Sequence, residues 1–265
     1  MISVKTRPAP AGAWYLGLKE GDVAPRCILV GDRARVDMFG ERLEGARVLS
    51  DKRGLRTMGG TFDGVPVTVA AFGMGAPIAA VLLEELAVIG VRVVLRAGTA
   101  MSLAPDRLPL GTFIVAHAAL RADGTSLTYA PLGYPAAADP IAVNAVTDVL
   151  DKSRLPHTVG ILATADGFYT EMLAPSDARS DSLRRRHDEF RKVGVLAADM
   201  ETATLFVVAS LLGVRAGSLC LVSVDGPGRA LLDDESRHAG EAQLVDAALR
   251  SLIAIPDPSE RRPAA

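Results

Sequence analysis

Residues 65–99 read VPVTVAAFGMGAPIAAVLLEELAVIGVRVVLRAGT, and this segment decides the fold class. Val65 to Phe72 is a short apolar run with the pattern of a strand. Ile78 to Ile89 has the pattern of a helix, with Pro77 near the first turn, where proline is tolerated. Val91 to Ala97 is again strand-like and ends at a glycine. A strand, a helix and a second strand in this order predict a βαβ unit and an α/β fold.

The same alternation extends along most of the chain, so we expect one α/β domain with a mostly parallel sheet. No linker, repeat or low-complexity segment interrupts residues 1–265, and residues 1–13 and 255–265 resemble loose tails. The further predicted strands are Cys27–Val30, Thr112–Leu120, Thr158–Thr164 and Gly217–Val224, and the further predicted helices are Glu201–Leu212 and Glu241–Ile253.

The composition excludes several classes of protein. The chain has 265 residues, 49% hydrophobic and only 5% aromatic, with 25 glycines, so its core must consist of small aliphatic side chains. A formal charge of −2 gives no reason to expect a nucleic-acid partner. The apolar runs are interrupted before the roughly 20 residues that a membrane span needs, so we expect no membrane partner.

Cofactor motifs are also missing from the sequence. The four histidines have no metal-ligand spacing, and Cys27 and Cys220 lie in apolar runs typical of reduced thiols, which favours a cytoplasmic location. Gly73-Met74-Gly75 lacks the third glycine of a dinucleotide fingerprint, because position 78 is Ile. We therefore expect neither a metal nor an organic cofactor.

Cationic residues cluster where predicted strands end, which is where ligands bind in α/β sheets. Gly31 and Arg35 follow the first strand, Arg96 and Thr99 close the third, and Arg53 lies between them. The planar guanidinium group of arginine and the exposed backbone amides of glycine turns can both donate hydrogen bonds to phosphate oxygens. Each arginine alone could nevertheless be an ordinary surface charge. Arg96 lies inside an apolar run, and a buried arginine needs an anionic partner.

Two acidic segments offer further candidates. Asp199-Met200-Glu201 opens a helix, where a carboxylate either accepts hydrogen bonds from a vicinal diol or complements the helix dipole. Asp225 ends an apolar run, where it is either a proton donor with a raised pKa or a turn residue before Gly226-Pro227.

Several of these motifs occur together, and in order, in one known family. The chain resembles the hexameric nucleoside phosphorylases, and most closely the uridine phosphorylases, from about Tyr15 to Ile253. The matching stretches are Leu16-Gly17-Leu18, Gly31-Asp32-Arg33-Ala34-Arg35-Val36, Gly73-Met74-Gly75-Ala76-Pro77, Arg96-Ala97-Gly98-Thr99, Asp123-Gly124-Thr125-Ser126-Leu127, Tyr134-Pro135-Ala136, Asp166-Gly167-Phe168-Tyr169 and Met200-Glu201-Thr202-Ala203-Thr204-Leu205.

The resemblance implies a three-layer α/β/α fold around a mixed, partly barrel-like sheet. It also implies a homo-oligomer, a hexamer built from dimers. The implied reaction is attack of phosphate on the ribose C1′ of a nucleoside, which releases the free base without a metal or organic cofactor. By position, phosphate would be held by Gly31, Arg35, Arg96 and Thr99, and by Arg53 of a neighbouring subunit. The nucleoside would contact Tyr15, Phe168, Met200, Glu201 and Asp225, with Arg96 and Asp225 as the catalytic pair.

The chain also departs from the family pattern. Arg33 replaces a proline, Tyr15 replaces a histidine that is donated across the dimer, and Asp199 replaces a glutamate.

The residues that read uracil in the family are replaced by Met172, Ala174 and Gly226, whereas Asp225 lies where related purine enzymes place a proton-donating aspartate. A purine nucleoside phosphorylase therefore remains an alternative to a uridine phosphorylase. A nucleosidase and a nucleoside-binding protein without catalysis are further alternatives.

Overall fold

The computed structural model describes residues 13–173, 177–227 and 229–259. The strands are β1 (Arg26–Val30), β2 (Glu44–Lys52), β3 (Leu55–Phe62), β4 (Val65–Ala71), β5 (Val93–Ser102), β6 (Phe113–Ala122), β7 (Ala136–Ala137), β8 (His157–Ala165), β9 (Val195–Asp199), β10 (Arg215–Asp225) and β11 (Ala230–Leu231). The helices are α1 (Arg33–Gly40), α2 (Ala76–Val88), α3 (Thr125–Tyr129), α4 (Pro140–Lys152), α5 (Asp177–Lys192), α6 (Thr202–Leu212) and α7 (Asp234–Ala254), with a π-helical turn at Phe168–Met172.

Part of the sheet closes into a barrel. β5 pairs with β10 and β9, β10 pairs with β6, and β8 joins β6 to β9, so these five strands form a closed ring. β1, β4, β3 and β2 extend the sheet outward from β5. The mixed, partly barrel-like sheet is thereby confirmed.

The expectation of a mostly parallel sheet was wrong. The β1–β4, β1–β5, β5–β10, β6–β8 and β8–β9 pairs are parallel, but the remaining pairs are antiparallel. For two of these antiparallel pairs the cause is local: β2, β3 and β4 follow one another through tight hairpins, which can only join antiparallel neighbours.

Helices cover both faces of the sheet, as the three-layer expectation requires. α1, α4 and α7 pack with β1, β4 and β5 in one apolar cluster, whereas α2 and α6 pack in another on the opposite face. Phe39, Phe113 and Phe206 are fully buried, and the rest of the core is largely Leu, Ile, Val and Ala. A few aromatic residues are therefore enough to fill the core, because small aliphatic side chains let helices and strands approach closely.

All nine segments predicted from the pattern are present, with shifted ends. Ala13 and Ile255, which lie inside the predicted tails, are buried, and Ala13 forms a bridge with Leu18. Residues 1–12 and 260–265 of those tails lie outside the described residues. Among the helices of the described segments, none is long and apolar enough to cross a membrane.

Candidate active site

A cavity of about 570 Å³ opens beside the ends of β1, β4, β9 and β10. Its position agrees with the general rule that ligands of α/β sheets bind at the strand ends. The lining includes Gly31, Asp32, Arg33, Arg35, Gly73, Met74, Arg96, Gly98, Thr99, Ala100, Met101, Phe168, Met172, Asp199, Met200, Glu201, Ser223, Val224, Arg237 and Glu241. Seven of the ten predicted site residues are therefore brought together.

One end of the cavity is built from two glycine turns and the start of α1. The Gly73 amide donates to the Gly31 carbonyl at 3.0 Å, and a Cβ added to Gly31 would lie 2.9 Å from the Gly73 carbonyl oxygen. Asp32 caps α1 by accepting the Ala34 amide at 2.9 Å. This cap directs the positive end of the helix dipole toward the cavity, where an anion would be stabilised.

Arg96 lies at the centre of a buried charge cluster. Its guanidinium donates to the Glu201 carboxylate at 2.5 Å, approaches Asp199 at 3.3 Å and contacts the Cys220 sulfur at 2.7 Å. Burial alone would lower the pKa of Arg96, but Cys220 and the two carboxylates outweigh it and hold the pKa above the usual value. Arg96 therefore stays charged, and the anionic partner that its buried position required is present.

The two carboxylates beside Arg96 are held by the start of α6. Asp199 accepts hydrogen bonds from the hydroxyl of Thr164 at 2.7 Å and from the amide of Thr202 at 3.1 Å. Glu201 uses its second oxygen to accept the Gly75 amide at 2.7 Å. The acids do more than complement the helix dipole, because they fix Arg96 between them.

A second arginine joins the cavity from α1. Arg35 is buried and pairs with Glu241 of α7 at 3.0 Å. Within the described residues, the buried Nε atoms of both Arg35 and Arg96 have no hydrogen-bond partner. A buried donor without a partner costs about 1–3 kcal/mol, so both arginines favour an added acceptor.

The opposite end of the cavity is apolar. Phe168 and Met172 come from the same π-helical turn, where residues four apart lie near one face, and Met101, Met200 and Val224 complete this end. Phe168 is 36% exposed and packs edge to face against Tyr169 at 5.1 Å. A flat, apolar ring would fit between these side chains.

The positions that read uracil in related enzymes contribute no hydrogen-bonding side chain here. Met172 lines the cavity, and Ala174 lies outside the described residues. A Cβ added to Gly226 would lie 3.0 Å from the Met101 sulfur, so Met101 takes the space next to that position.

Two predicted residues lie elsewhere on the chain. Arg53 occupies the β2–β3 hairpin turn with a positive φ of 54°, followed by Gly54 at 82°. Its guanidinium carbon lies 4.5 Å from the Trp14 ring centre and 5.5 Å from that of Tyr15. We call these three residues the Trp14–Tyr15–Arg53 cluster. Neither Tyr15 nor Arg53 lines the cavity of its own chain.

Asp225 ends β10, one residue beyond Val224, and is not among the residues that line the cavity. Its role as a proton donor stays a prediction.

Sequence reasoning missed several lining residues, among them Met101, Ser223, Arg237 and Glu241. Arg237 and Glu241 come from α7, and no motif signals their proximity to a glycine turn some 200 positions earlier. Met101 follows Thr99 by two residues, and its position in the same strand could have indicated that it faces the site. Among the described residues, no group of three or more His, Cys, Asp or Glu side chains could hold a metal ion.

Comparisons with known proteins agree with this geometry. A uridine phosphorylase from Thermococcus kodakarensis is 32% identical over 253 residues, which cover 94% of this chain and 89% of that protein. A guanosine phosphorylase from Halorubrum lacusprofundi is 32% identical over 212 residues, 80% of this chain and 82% of that protein. The crystal structure of a purine nucleoside phosphorylase from Toxoplasma gondii in complex with immucillin-H superposes with a TM-score of 0.83. It is 26% identical and covers 93% of this chain and 97% of that chain.

The family model described as "Phosphorylase superfamily" matches residues 25–254, a range that includes every cavity-lining residue given above. On the strength of this match and of the site that the matched residues build, the chain belongs to the phosphorylase superfamily.

Proposed function

We propose that this protein is a nucleoside phosphorylase, a pentosyltransferase that cleaves a ribonucleoside with inorganic phosphate. A phosphate oxygen forms a bond to C1′ while the C1′–N bond breaks. The electron pair of that bond leaves with the base, which takes up a proton, and ribose 1-phosphate remains. Phosphate is the second substrate, and the proposed reaction includes no metal or organic cofactor.

One observation carries the proposal: the two buried arginines of the cavity each keep an unpaired Nε–H. A phosphate bound beside Gly31 and Thr99 would offer acceptors to both, and its charge would compensate the guanidinium groups. The same clamp would position the nucleophile, and its charges would complement an oxocarbenium-like transition state.

Glu201 and Met200 are suited to the ribose. Each Glu201 oxygen accepts one hydrogen bond within the protein, and a carboxylate has about four acceptor positions, so two remain for ribose hydroxyls. The side chain is only 4% exposed, which strengthens its hydrogen bonds by excluding water. Phe168 would then pack against the base.

The apolar end of the cavity supports a uridine-phosphorylase-like enzyme whose preference for the nucleobase is altered. Several relatives are uridine phosphorylases, but Met172 and Gly226 provide no hydrogen bonds for uracil, and unpaired uracil groups would cost affinity. The guanosine phosphorylase among the relatives favours a purine nucleoside as the second candidate, with Asp225 as the acid that protonates the base.

A second copy of the chain would complete the site. The Trp14–Tyr15–Arg53 cluster is removed from its own cavity and partly exposed, with Trp14 60% exposed. We propose that it is donated across a dimer, with Arg53 reaching phosphate and Tyr15 the ribose, in a hexamer built from such dimers. The single-domain organisation of residues 1–265 and a cytoplasmic location belong to the same proposal.

The direct test is release of base from a nucleoside panel with and without phosphate. We expect release only with phosphate, with ribose 1-phosphate as the second product. Release that does not need phosphate would contradict the proposal and indicate a nucleosidase. Calorimetric binding of a nucleoside without any release over hours would indicate a binding protein.

Arg96→Ala tests the phosphate clamp. Losing its charged hydrogen bonds, worth about 1.5–3 kcal/mol each, should raise the KM for phosphate roughly 10- to 100-fold. The free energy of unfolding should fall by about 3–5 kcal/mol, because Asp199 and Glu201 lose their countercharge. The matched control is Arg33→Ala, which removes a cavity arginine already paired with Asp51 at 2.7 Å. Unchanged phosphate kinetics in Arg96→Ala would contradict the assignment.

A further inference from the structure

A second cavity of about 160 Å³ lies directly behind the base end of the active site. Its lining includes Leu183 and His187 of α5, the Gly226-Pro227 segment after β10, and Met172, together with four exposed charged residues, Arg184, Asp188, Arg191 and Arg229. Nothing in the proposed reaction so far uses this space.

Met172 is common to both cavities, so it forms the wall between them. On the active-site side it adjoins Met101, and the two methionines belong to one apolar cluster. On the far side lies Gly226, where an added Cβ would touch the Met101 sulfur at 3.0 Å and its methyl carbon at 3.2 Å. The partition is therefore only one layer of side chains thick.

This partition can change shape at low cost. Methionine is unbranched with three rotatable bonds, and it adapts to irregular neighbours better than any other apolar side chain. Met172 is 5% exposed and ends a π-helical turn, a local structure that occurs mostly at functional positions. A rotation of its side chain would join the two cavities without moving a strand.

The size of the second cavity sets what it accepts. A volume of about 150 Å³ is enough for a benzene-sized molecule, so the volume of this cavity has room for one more ring. His187 is buried, which lowers its pKa, so its imidazole is neutral at pH 7. Its Nε2 donates to the Glu171 carbonyl at 2.9 Å, which fixes the ring in place.

We propose that Met172 is a movable, specificity-determining wall, and that the second cavity receives the additional ring of a bicyclic base. The preferred leaving group is then a purine-sized base rather than uracil. This inference rests on the proposed phosphorolysis, because it names the class of base that the same site releases.

Leu183→Trp tests the proposal from outside the active site. Leu183 lines only the second cavity, so the larger indole should fill that space and leave the nucleoside cavity unchanged. The measured quantity is the ratio of kcat/KM for inosine to kcat/KM for uridine, at saturating phosphate. We expect the ratio to fall roughly tenfold or more, the scale on which pocket size discriminates between substrates.

Met172→Ala is the second, independent variant, and it should raise the same ratio because it opens the wall. Leu183→Ala is the matched control, which enlarges the second cavity without blocking it and should not lower the ratio. A ratio that stays within twofold of the wild type in both Leu183→Trp and Met172→Ala would overturn the inference, whatever happens to the absolute rates. Cleavage of uridine without any cleavage of inosine by the wild type would also overturn it.

Failure of the phosphorylase proposal itself would give a different result from failure of the inference about Met172. If no nucleoside of the panel is cleaved, calorimetry with hypoxanthine and uracil still tests the second cavity. Tighter binding of hypoxanthine that is lost in Leu183→Trp supports the inference, and equal binding of the two bases to the wild type overturns it.

Discussion

At the scale of single residues, the position of Arg96 depends on a glycine two positions later. A Cβ added to Gly98 would lie 2.1 Å from one terminal nitrogen of Arg96 and 2.7 Å from its central carbon. The guanidinium therefore folds back over its own strand, into space that only glycine leaves open. Gly98 serves the buried charge cluster by leaving this space open.

Gly98→Ala should therefore displace Arg96 from Asp199 and Glu201. Because a misplacement of about 1 Å at a reacting site can cost 10²-fold, we expect kcat/KM for phosphate to fall by roughly that factor. Steady-state kinetics with varied phosphate would measure the change. The matched control is Gly133→Ala, where an added Cβ meets nothing within 4 Å and φ is not positive. Equal kinetics in the two variants would show that Arg96 tolerates the methyl group.

The sequence predicted the arginines of the cavity better than it predicted the acidic residues that pair with them. Arg96 was identifiable because it interrupts an apolar run, and its need for an anion follows from burial alone. That Glu201 supplies the anion depends on how α6 meets β5, more than 100 positions apart along the chain. Met101 could be placed on the same face of β5 as Thr99 by its spacing, but its apolar side chain alone does not distinguish a cavity-lining residue from a core residue.

At the scale of elements, α5 is anchored to the π-helical turn that carries Phe168 and Met172. His187 of α5 donates from Nε2 to the Glu171 carbonyl at 2.9 Å, and Arg186 pairs with the Glu171 carboxylate at 2.6 Å. Burial lowers the pKa of His187, and the adjacent Arg186 lowers it further, against a smaller opposing effect of the hydrogen bond and Asp188. Burial therefore favours the neutral imidazole in the folded chain, and its Nε2–H still donates to the Glu171 carbonyl.

The folded chain should lose stability in acid, because a buried His187 must then become charged. The unfolded chain binds a proton at His187 near pH 6.5, whereas the folded chain binds it only at lower pH, so the free energy of unfolding falls as the pH drops below about 6.5. His187→Gln keeps an N–H donor but does not titrate, so its stability should depend less on pH between 7.5 and 5. Chemical denaturation across this range would measure it, with His117→Gln at an exposed position as the control. Parallel pH profiles for wild type and His187→Gln would exclude His187 as the titrating group.

Some of the elements that the pattern missed have a clear physical reason. α5 is polar around most of its surface, with eleven charged or histidine side chains in DARSDSLRRRHDEFRK, so it lacks the apolar stripe that signals a helix. β2 is largely exposed and β9 has five residues, so neither gives a clear alternation. Elements that are stabilised mainly by contacts with distant parts of the chain cannot be predicted from the local sequence pattern.

At the scale of the whole molecule, closure of the sheet brings the site together. β5 pairs with β1, β9 and β10, and this branching places Arg96 and Thr99 between the end of β1 and the start of α6. Local patterns predicted β1, β5 and β10 but neither β9 nor its pairing with β5, because nothing in the apolar run of β5 indicates whether it has two neighbouring strands or three. The resemblance to a known family supplied the closure that periodicity could not.

The largest scale at which function can be tested is the pair of subunits. If the Trp14–Tyr15–Arg53 cluster serves the cavity of another copy, then Glu201→Gln and Arg53→Ala damage different halves of one site. Each variant alone should be impaired at every site. A mixed dimer should contain one cavity with both defects and one with neither, because a two-fold interface exchanges the same elements in both directions.

We therefore expect assemblies that contain both Glu201→Gln and Arg53→Ala, purified through two different tags, to regain activity, up to about half of the wild-type rate per dimer where every dimer is mixed. The control pairs Glu201→Gln with Phe168→Ala, two residues that line the same cavity, so no mixed dimer of this kind has an intact site. Recovery in the first pair and not in the second would place Arg53 across the interface. If the first pair shows no recovery although mixed dimers form, Arg53 acts within its own subunit or not at all. The short β2–β3 hairpin would then be a surface turn whose left-handed Arg53 serves only to reverse the chain.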